Sequence, residues 1–198
     1  SIVMKIGMYG GIDNGRIRDR TIDYIAIDQG LSFLLREGIK PIVAIGDFDS
    51  LEETSLLEKV DVLRYNPVKD DTDTAIALKW AIEHGYDEIE ITGVMQGRMD
   101  HFLGVLCLLE QYRDIHITIY DQKNCITLLK AGEYEIDCQH YHYFSIFAID
   151  DTRLTLRKCV YELENYLLKR HDPLCVSNQC ESILYLHTTA DIFFIQAS

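Results

Sequence analysis

The stretch Pro41-Ile42-Val43-Ala44-Ile45-Gly46-Asp47-Phe48-Asp49-Ser50 decides the fold class. Its apolar run over residues 41–45 is too short for a helix and ends at a glycine followed by two carboxylates. A short continuous apolar run bounded by turn residues reads as a strand buried on both faces. The same grammar recurs along the first 120 residues. A strand over 23–27 ends at Asp28-Gln29-Gly30, and a strand over 88–94 runs into Gly97-Arg98-Met99-Asp100-His101. Lys69-Asp70-Asp71-Thr72-Asp73 opens a helix over 73–84. In a parallel sheet the C-terminal ends of the strands share one edge, and ligands bind along it. Acidic clusters gathered there repel one another unless a cation neutralises them. The hard cation that suits carboxylate oxygens and travels with phosphates is Mg²⁺. The pattern implies metal-dependent phosphate chemistry.

Working outward, strands are expected over 3–8, 60–65 and 116–120, and helices over 31–37, 51–59 and 99–112. Thr72 caps the helix over 73–84, Ile76 and Trp80 share its face, and Gly85 ends it. Strands separated by helices of this length imply right-handed βαβ units. The pattern changes near Asp121. Short runs rich in β-branched and aromatic residues follow over 126–129, 133–136, 141–147, 153–156, 175–177, 182–186 and 192–195, and residues 161–169 fit neither period. The expectation is an α/β N-terminal domain with a mainly parallel sheet over residues 1–121, and a small C-terminal antiparallel β-sandwich over 122–198.

An apolar fraction of 47% supports a real core, and a formal net charge of −13 without a basic run argues against nucleic acid or an anionic membrane as partner. No apolar run reaches the roughly 20 residues of a membrane helix. The six cysteines form no C-x-x-C pair and follow no segment that reads as a signal peptide, so reduced, mostly buried thiols in a cytoplasmic protein are expected. Met4 is the expected natural start.

Each motif has a plainer explanation. Asp47 and Asp49 point the same way on an extended segment, but D-x-D also occurs in solvated turns. Asp70, Thr72 and Asp73 stabilise a helix N-terminus by capping and dipole alone, and Lys69 beside them is either a phosphate contact or a solvated lysine. Asp28-Gln29-Gly30 reads equally well as a turn. The segment from Gly93 to His101 is more specific: glycines let backbone approach an anion, a helix start offers free N–H groups, and Arg98 pairs with phosphate. His140 and His142 on one strand face lack a third ligand. A Walker loop and the protein-kinase motifs are both absent.

Taken in order, D-Q-G, G-D-F-D-S, K-D-x-T-D, G-x-x-x-G-R-x-D-H and a late S-N make the chain resemble the thiamine pyrophosphokinase family, strongly over 25–110 and weakly over 120–198. The resemblance implies a homodimer that transfers a pyrophosphoryl group from ATP to the hydroxyl of thiamine, giving thiamine diphosphate and AMP. It implies Asp47, Asp49, Asp70, Asp73 and Asp100 around Mg²⁺, and Asp28, Asp47, Ser50, Lys69, Thr72, Gly97 and Arg98 at ATP. Asp100, His101, Ser177 and Asn178 fall to thiamine, and Asp73, Asp100 and Arg98 to catalysis. Gln29 and Gln96 stand where the family pattern has glycine, Val105 where it has asparagine, and Cys180 where an aromatic often follows S-N. Two rivals remain. One is a nucleotide- or thiamine-binding regulator without turnover. The other is a haloacid-dehalogenase-like phosphatase with Asp47 as nucleophile and Asp49 as acid, a class that places its D-x-D on the first strand rather than the third.

Overall fold

Buried β-branched runs do become parallel strands. The computed structural model describes residues 2–13, 16–46, 63–65 and 71–198. Two compact units emerge, Ser1–Gln122 and Lys123–Ser198.

In the first unit, β1 (Lys5–Tyr9), β2 (Asp23–Ile27), β3 (Val43–Ile45), β4 (Leu63–Tyr65), β5 (Glu88–Thr92) and β6 (His116–Tyr120) line up in the order β4-β3-β2-β1-β5-β6. Every printed pairing among them is parallel. The chain winds outward from β1 to β4, then returns to place β5 on the other side of β1. The crevice between β1 and β5 is therefore the switch point of the sheet. Ile6, Met8, Ile25, Ile45, Ile89, Ile91 and Ile119 are fully buried; β3 is apolar and buried throughout, while β5 and β6 alternate. Helix α1 (Gly30–Arg36) packs Leu31 and Leu34 over Tyr9, Tyr24, Ala26 and Ala44. Helix α2 (Asp73–Glu83) lies against β2, β3 and helix α3 (Met99–Gln111). The helix expected over 51–59 falls outside the described residues.

The connection from β1 to β2 holds no helix among its described residues. It is a strap fastened by side chains: Arg16 N–H donates to Thr92 Oγ1 (3.1 Å), Arg18 N–H to the Tyr120 hydroxyl (3.4 Å), and the Tyr24 hydroxyl donates to the Asp19 carbonyl (2.7 Å). The Tyr24 ring lies over Gly7, where an added Cβ would fall 2.1 Å from the ring. Burial pushes the Tyr24 phenol up to about 12. Lys5 bridges Asp19 (3.4 Å) and Glu90 (2.8 Å) on the same side.

The second unit carries β7 (Asn124–Leu129), β8 (Gly132–Asp137), β9 (Tyr143–Ala148), β10 (Thr152–Arg157), β11 (Leu163–Leu168), β12 (Ile183–Thr188) and β13 (Ile192–Ala197). They form antiparallel ladders β7-β13-β9 and β11-β10-β12-β8. Phe144, Ile146, Leu154, Leu156, Leu184, Leu186, Ile192 and Phe194 from both ladders share one core, which makes this unit a sandwich. The expected strand over 175–177 is corrected: Ser177 has φ +65°, which breaks an extended run, and only a single bridge pairs Asn178 with Phe144. The undecided segment 161–169 contains β11. His140 and His142 are exposed and precede β9 rather than lying on it. The cysteines are free, with Cys138, Cys175 and Cys180 buried and Cys107 exposed. Among the described residues no helix is long and apolar enough to cross a membrane.

Candidate active site

A cleft of about 470 Å³ opens at the C-terminal edge of the parallel sheet, over the switch point. Four chain segments build it. Gly10, Gly11 and Ile12 follow β1; Asp28 follows β2; Asp71, Thr72, Asp73 and Thr74 open α2; Gly93, Val94, Gly97, Arg98, His101 and Val105 come from the β5–α3 segment. Such a volume suits a small-molecule ligand.

Asp28 sits at φ +50°, a conformation that Asp tolerates better than most residues. Its N–H donates to the Ile45 carbonyl (3.0 Å), and its carboxylate lies so close to Gly46 that an added Cβ there would be 2.2 Å from Oδ1. The turn after β2 is thereby pinned to the point where the chain leaves β3 toward Asp47. Asp47, Asp49, Ser50, Lys69 and Asp70 themselves lie outside the described residues.

Thr72 caps α2, its Oγ1 accepting from Ala75 N–H (3.2 Å), while Asp71 Oδ1 accepts from Thr72 N–H (2.9 Å). These bonds aim the first turn of α2 at the cleft and leave Asp73 half-buried in its wall. Thr72→Ala is expected to lower the unfolding free energy by about 1 kcal/mol, the usual worth of a threonine cap; unchanged urea denaturation would show that the cap contributes nothing.

Close backbone packing shapes the β5–α3 segment. Gly93 has φ +75°, and a Cβ there would meet the Tyr9 ring at 2.7 Å. Gln96 also has a positive φ (+66°), which explains why the family pattern prefers glycine; here its side-chain amide donates to Asp121 Oδ2 (3.0 Å), holding the same turn. Gln29, by contrast, has an ordinary helical backbone (φ −65°) and needs no glycine. Arg98 precedes α3 and grips Asp100 through Nε–Oδ1 (3.1 Å) and a terminal nitrogen to Oδ2 (2.6 Å). Each group favours the charged form of the other, so the Asp100 carboxyl titrates below and Arg98 above its ordinary value. Both are largely exposed (64% and 70%), so the pair holds the fold only weakly and is easily exchanged for another ligand. Arg98 and His101 line the cleft; Asp100 stands beside it.

The late S-N pair lies in the second unit, at a separate hollow of about 480 Å³ lined by Tyr161, Leu163 and residues 174–178. Ser177 is exposed, and its N–H donates to Ser145 Oγ (3.0 Å). Asn178 is buried, with Oδ1 accepting from Tyr161 N–H (3.0 Å) and Gln179 N–H (2.8 Å), and Nδ2 donating to the Tyr161 carbonyl (2.9 Å). Its amide is thus engaged in holding the neighbouring loop. Cys180 is also buried and donates to the Lys158 carbonyl (3.2 Å).

The structure therefore brings Asp28, Thr72, Asp73, Gly97, Arg98 and His101 to one cleft and leaves Ser177 and Asn178 in another unit. Sequence reasoning gave no role to Gly10, Gly11, Ile12, Asp71, Thr74 or Val94, which line the cleft too. The available signal for the first three was the Gly-Gly step directly after a strand. Among the described residues no three His, Cys, Asp or Glu side chains gather as a metal cage. The charged donors on the cleft, Asp28, Asp71 and Asp73, are all carboxylates, a hard-oxygen set that fits Mg²⁺ rather than a soft metal.

Comparison with known proteins agrees with this architecture. The family profile "Thiamin pyrophosphokinase, catalytic domain" matches residues 17–120, and "Thiamin pyrophosphokinase, vitamin B1 binding domain" matches 133–193. The thiamine pyrophosphokinase of Bacillus subtilis (strain 168) is 38% identical over 165 residues, covering 79% of this chain and 77% of that protein. The crystal structure of thiamine pyrophosphokinase from Bacillus subtilis superposes with a TM-score of 0.90 at 32% identity, over 98% of this chain and 99% of the other. That of Geobacillus thermodenitrificans gives 0.90 at 30% identity, over 98% of each chain. With the catalytic-domain profile covering more than half of its length, this chain belongs to the thiamin pyrophosphokinase family of enzymes.

Proposed function

We propose that the chain transfers the pyrophosphoryl group of ATP to the hydroxyl of thiamine, releasing AMP. The observation that carries the reading is the cleft at the sheet switch point, where the carboxylates of the α2 N-terminus face Arg98 at the start of α3. Phosphoryl transfer depends on positioning and on neutralising spreading negative charge. Asp47, Asp49, Asp70, Asp73 and Asp100 would hold Mg²⁺, which when bound screens the phosphates against one another and against the incoming alcohol.

Arg98 releases Asp100 and takes a phosphate oxygen pair in its place, because a guanidinium fork fits either partner. Thr72, Asp28, Ser50, Lys69 and the backbone at Gly97 position the triphosphate. Asp73 or Asp100 accepts the alcohol proton as the hydroxyl attacks the β-phosphorus and AMP leaves. His101 and Ser177 contact thiamine, and Asn178 holds the loop beside Ser177. The working form is a cytoplasmic homodimer, checked by light scattering of the purified protein.

Incubation with ATP, MgCl₂ and thiamine should yield AMP and thiamine diphosphate in equal amounts. Release of inorganic phosphate with a trapped phospho-aspartate at Asp47 would instead identify a phosphatase, and ligand binding without AMP a regulator. Ser177→Ala should raise the thiamine KM roughly 3- to 10-fold, as for one lost hydrogen bond, with kcat little changed. An unchanged KM removes Ser177 from the substrate site.

A further inference from the structure

The side chains that line the cleft differ in kind. Asp28, residues 71–74, Arg98 and His101 supply every charged or hydroxyl side chain that lines it. The remaining lining is Gly10, Gly11, Ile12, Ile27, Gly93, Val94, Gly97 and Val105, with no polar side-chain atom among them. The glycines there are sites of contact between chain segments. A Cβ on Gly10 would fall 2.5 Å from the Gly93 carbonyl oxygen and 2.7 Å from Val94, and a Cβ on Gly97 would fall 2.6 Å from Ile12 Cδ1.

Ile12 and Val94 are only half-buried, so each presents aliphatic surface to the cleft. Ile12 is also fixed in place: its N–H donates to the Gly93 carbonyl (2.9 Å), and the strap beyond it is tied to Thr92. The branched aliphatic side chains of Ile12, Val94 and Val105 offer dispersion contact to a flat ring and nothing to an anion.

We propose that Ile12 and Val94 seat the heteroaromatic base of the nucleotide, while the charged and hydroxyl side chains of the cleft take its phosphates. The proposal rests on the reading of the cleft as the ATP site and adds to it two residues that fall outside the acidic and arginine motifs. Base recognition here is by apolar contact, so it distinguishes a nucleotide from a bare polyphosphate more strongly than one base from another.

The test is equilibrium binding by calorimetry, with Mg²⁺ present and thiamine absent, using ATP and inorganic tripolyphosphate as the two probes. The native protein should bind ATP at least 10-fold more tightly than tripolyphosphate. Ile12→Ala and Val94→Ala should each weaken ATP roughly 3- to 10-fold, the range for removing a few buried methyl or methylene contacts, and leave tripolyphosphate unchanged. That unchanged affinity also shows that the variants are folded. Equal native affinity for the two probes, or equal weakening of both in the variants, overturns the base seat while leaving phosphate binding intact. Variants that keep ATP affinity but raise the thiamine KM assign the apolar wall to the acceptor ring and overturn it as well. A native protein that binds neither probe removes the ATP reading of the cleft and the base seat with it.

Discussion

Asp73→Asn should cut turnover by roughly 10³-fold or more while the protein stays folded. Asp73 begins α2, is half-buried in the cleft wall and follows the Thr72 cap. Asparagine is nearly isosteric with aspartate, and the Thr72–Ala75 capping bond does not involve the substituted carboxylate. Losing a negative charge in the first turn costs the helix only about 0.3–1 kcal/mol. The fold therefore loses little. In the proposed reaction the site loses a formal charge where Mg²⁺ and ATP would have to be balanced, and an amide oxygen is a much weaker ligand for a hard ion. AMP formation and thermal unfolding should be measured on the same sample. A folded variant with near-native turnover would take Asp73 out of the metal and proton-transfer roles.

The second large effect is on stability. Gly30→Ala should lower the unfolding free energy by about 3 kcal/mol, a drop of roughly 6–12 °C in the apparent Tm. Helix propensity alone predicts the opposite sign, since alanine outranks glycine by about 1 kcal/mol in a helix interior. Contact geometry decides. A Cβ on Gly30 would fall 2.0 Å from the Tyr9 carbonyl oxygen and 2.9 Å from that of Gly10. Both obstacles are backbone, so no rotamer change relieves them; α1 or the end of β1 has to move, and Asp28 and Gly10, close to them in the chain, line the cleft. Gly104→Ala in α3 is the matched control, because an added Cβ there meets nothing within 4 Å. If Gly30→Ala proved as stable as Gly104→Ala, the close packing of α1 on β1 would be disproved.

The parallel half of the fold was readable because buried strands leave an apolar trace, continuous in Val43-Ala44-Ile45 and alternating in Ile89-Glu90-Ile91, and because the caps are local: Thr72 sits three residues before its partner. The meeting of Asp28, Asp73 and Arg98 followed from the rule that strand ends share an edge. What escaped notice depends on distant partners or on local strain. Ile12 reads as an ordinary loop residue until Gly93 and Gly97 are placed against it. Ser177 shows nothing of its positive φ in its chemistry. Strand β11 hides its period because the register with β10 shifts between Leu154 and Leu156, and Asn165 takes φ +48° with its N–H on Thr155 Oγ1. The charged stretch Glu162-Leu163-Glu164-Asn165 then resembles neither helix nor strand.

The strap between β1 and β2 has a consequence for synthesis on the ribosome. Its fastening points, the hydroxyls of Thr92 and Tyr120, are translated 76 and 102 residues after the Arg16 and Arg18 amides that they secure. A nascent chain that has exposed only β1 to β4 has neither latch, and the Thr92 and Gly93 carbonyls that receive the Gly10 and Ile12 amides are still to come. A segment translated before β2 is thus settled only after β6, and the emerging polypeptide gains a finished cleft only once the sixth strand has been delivered.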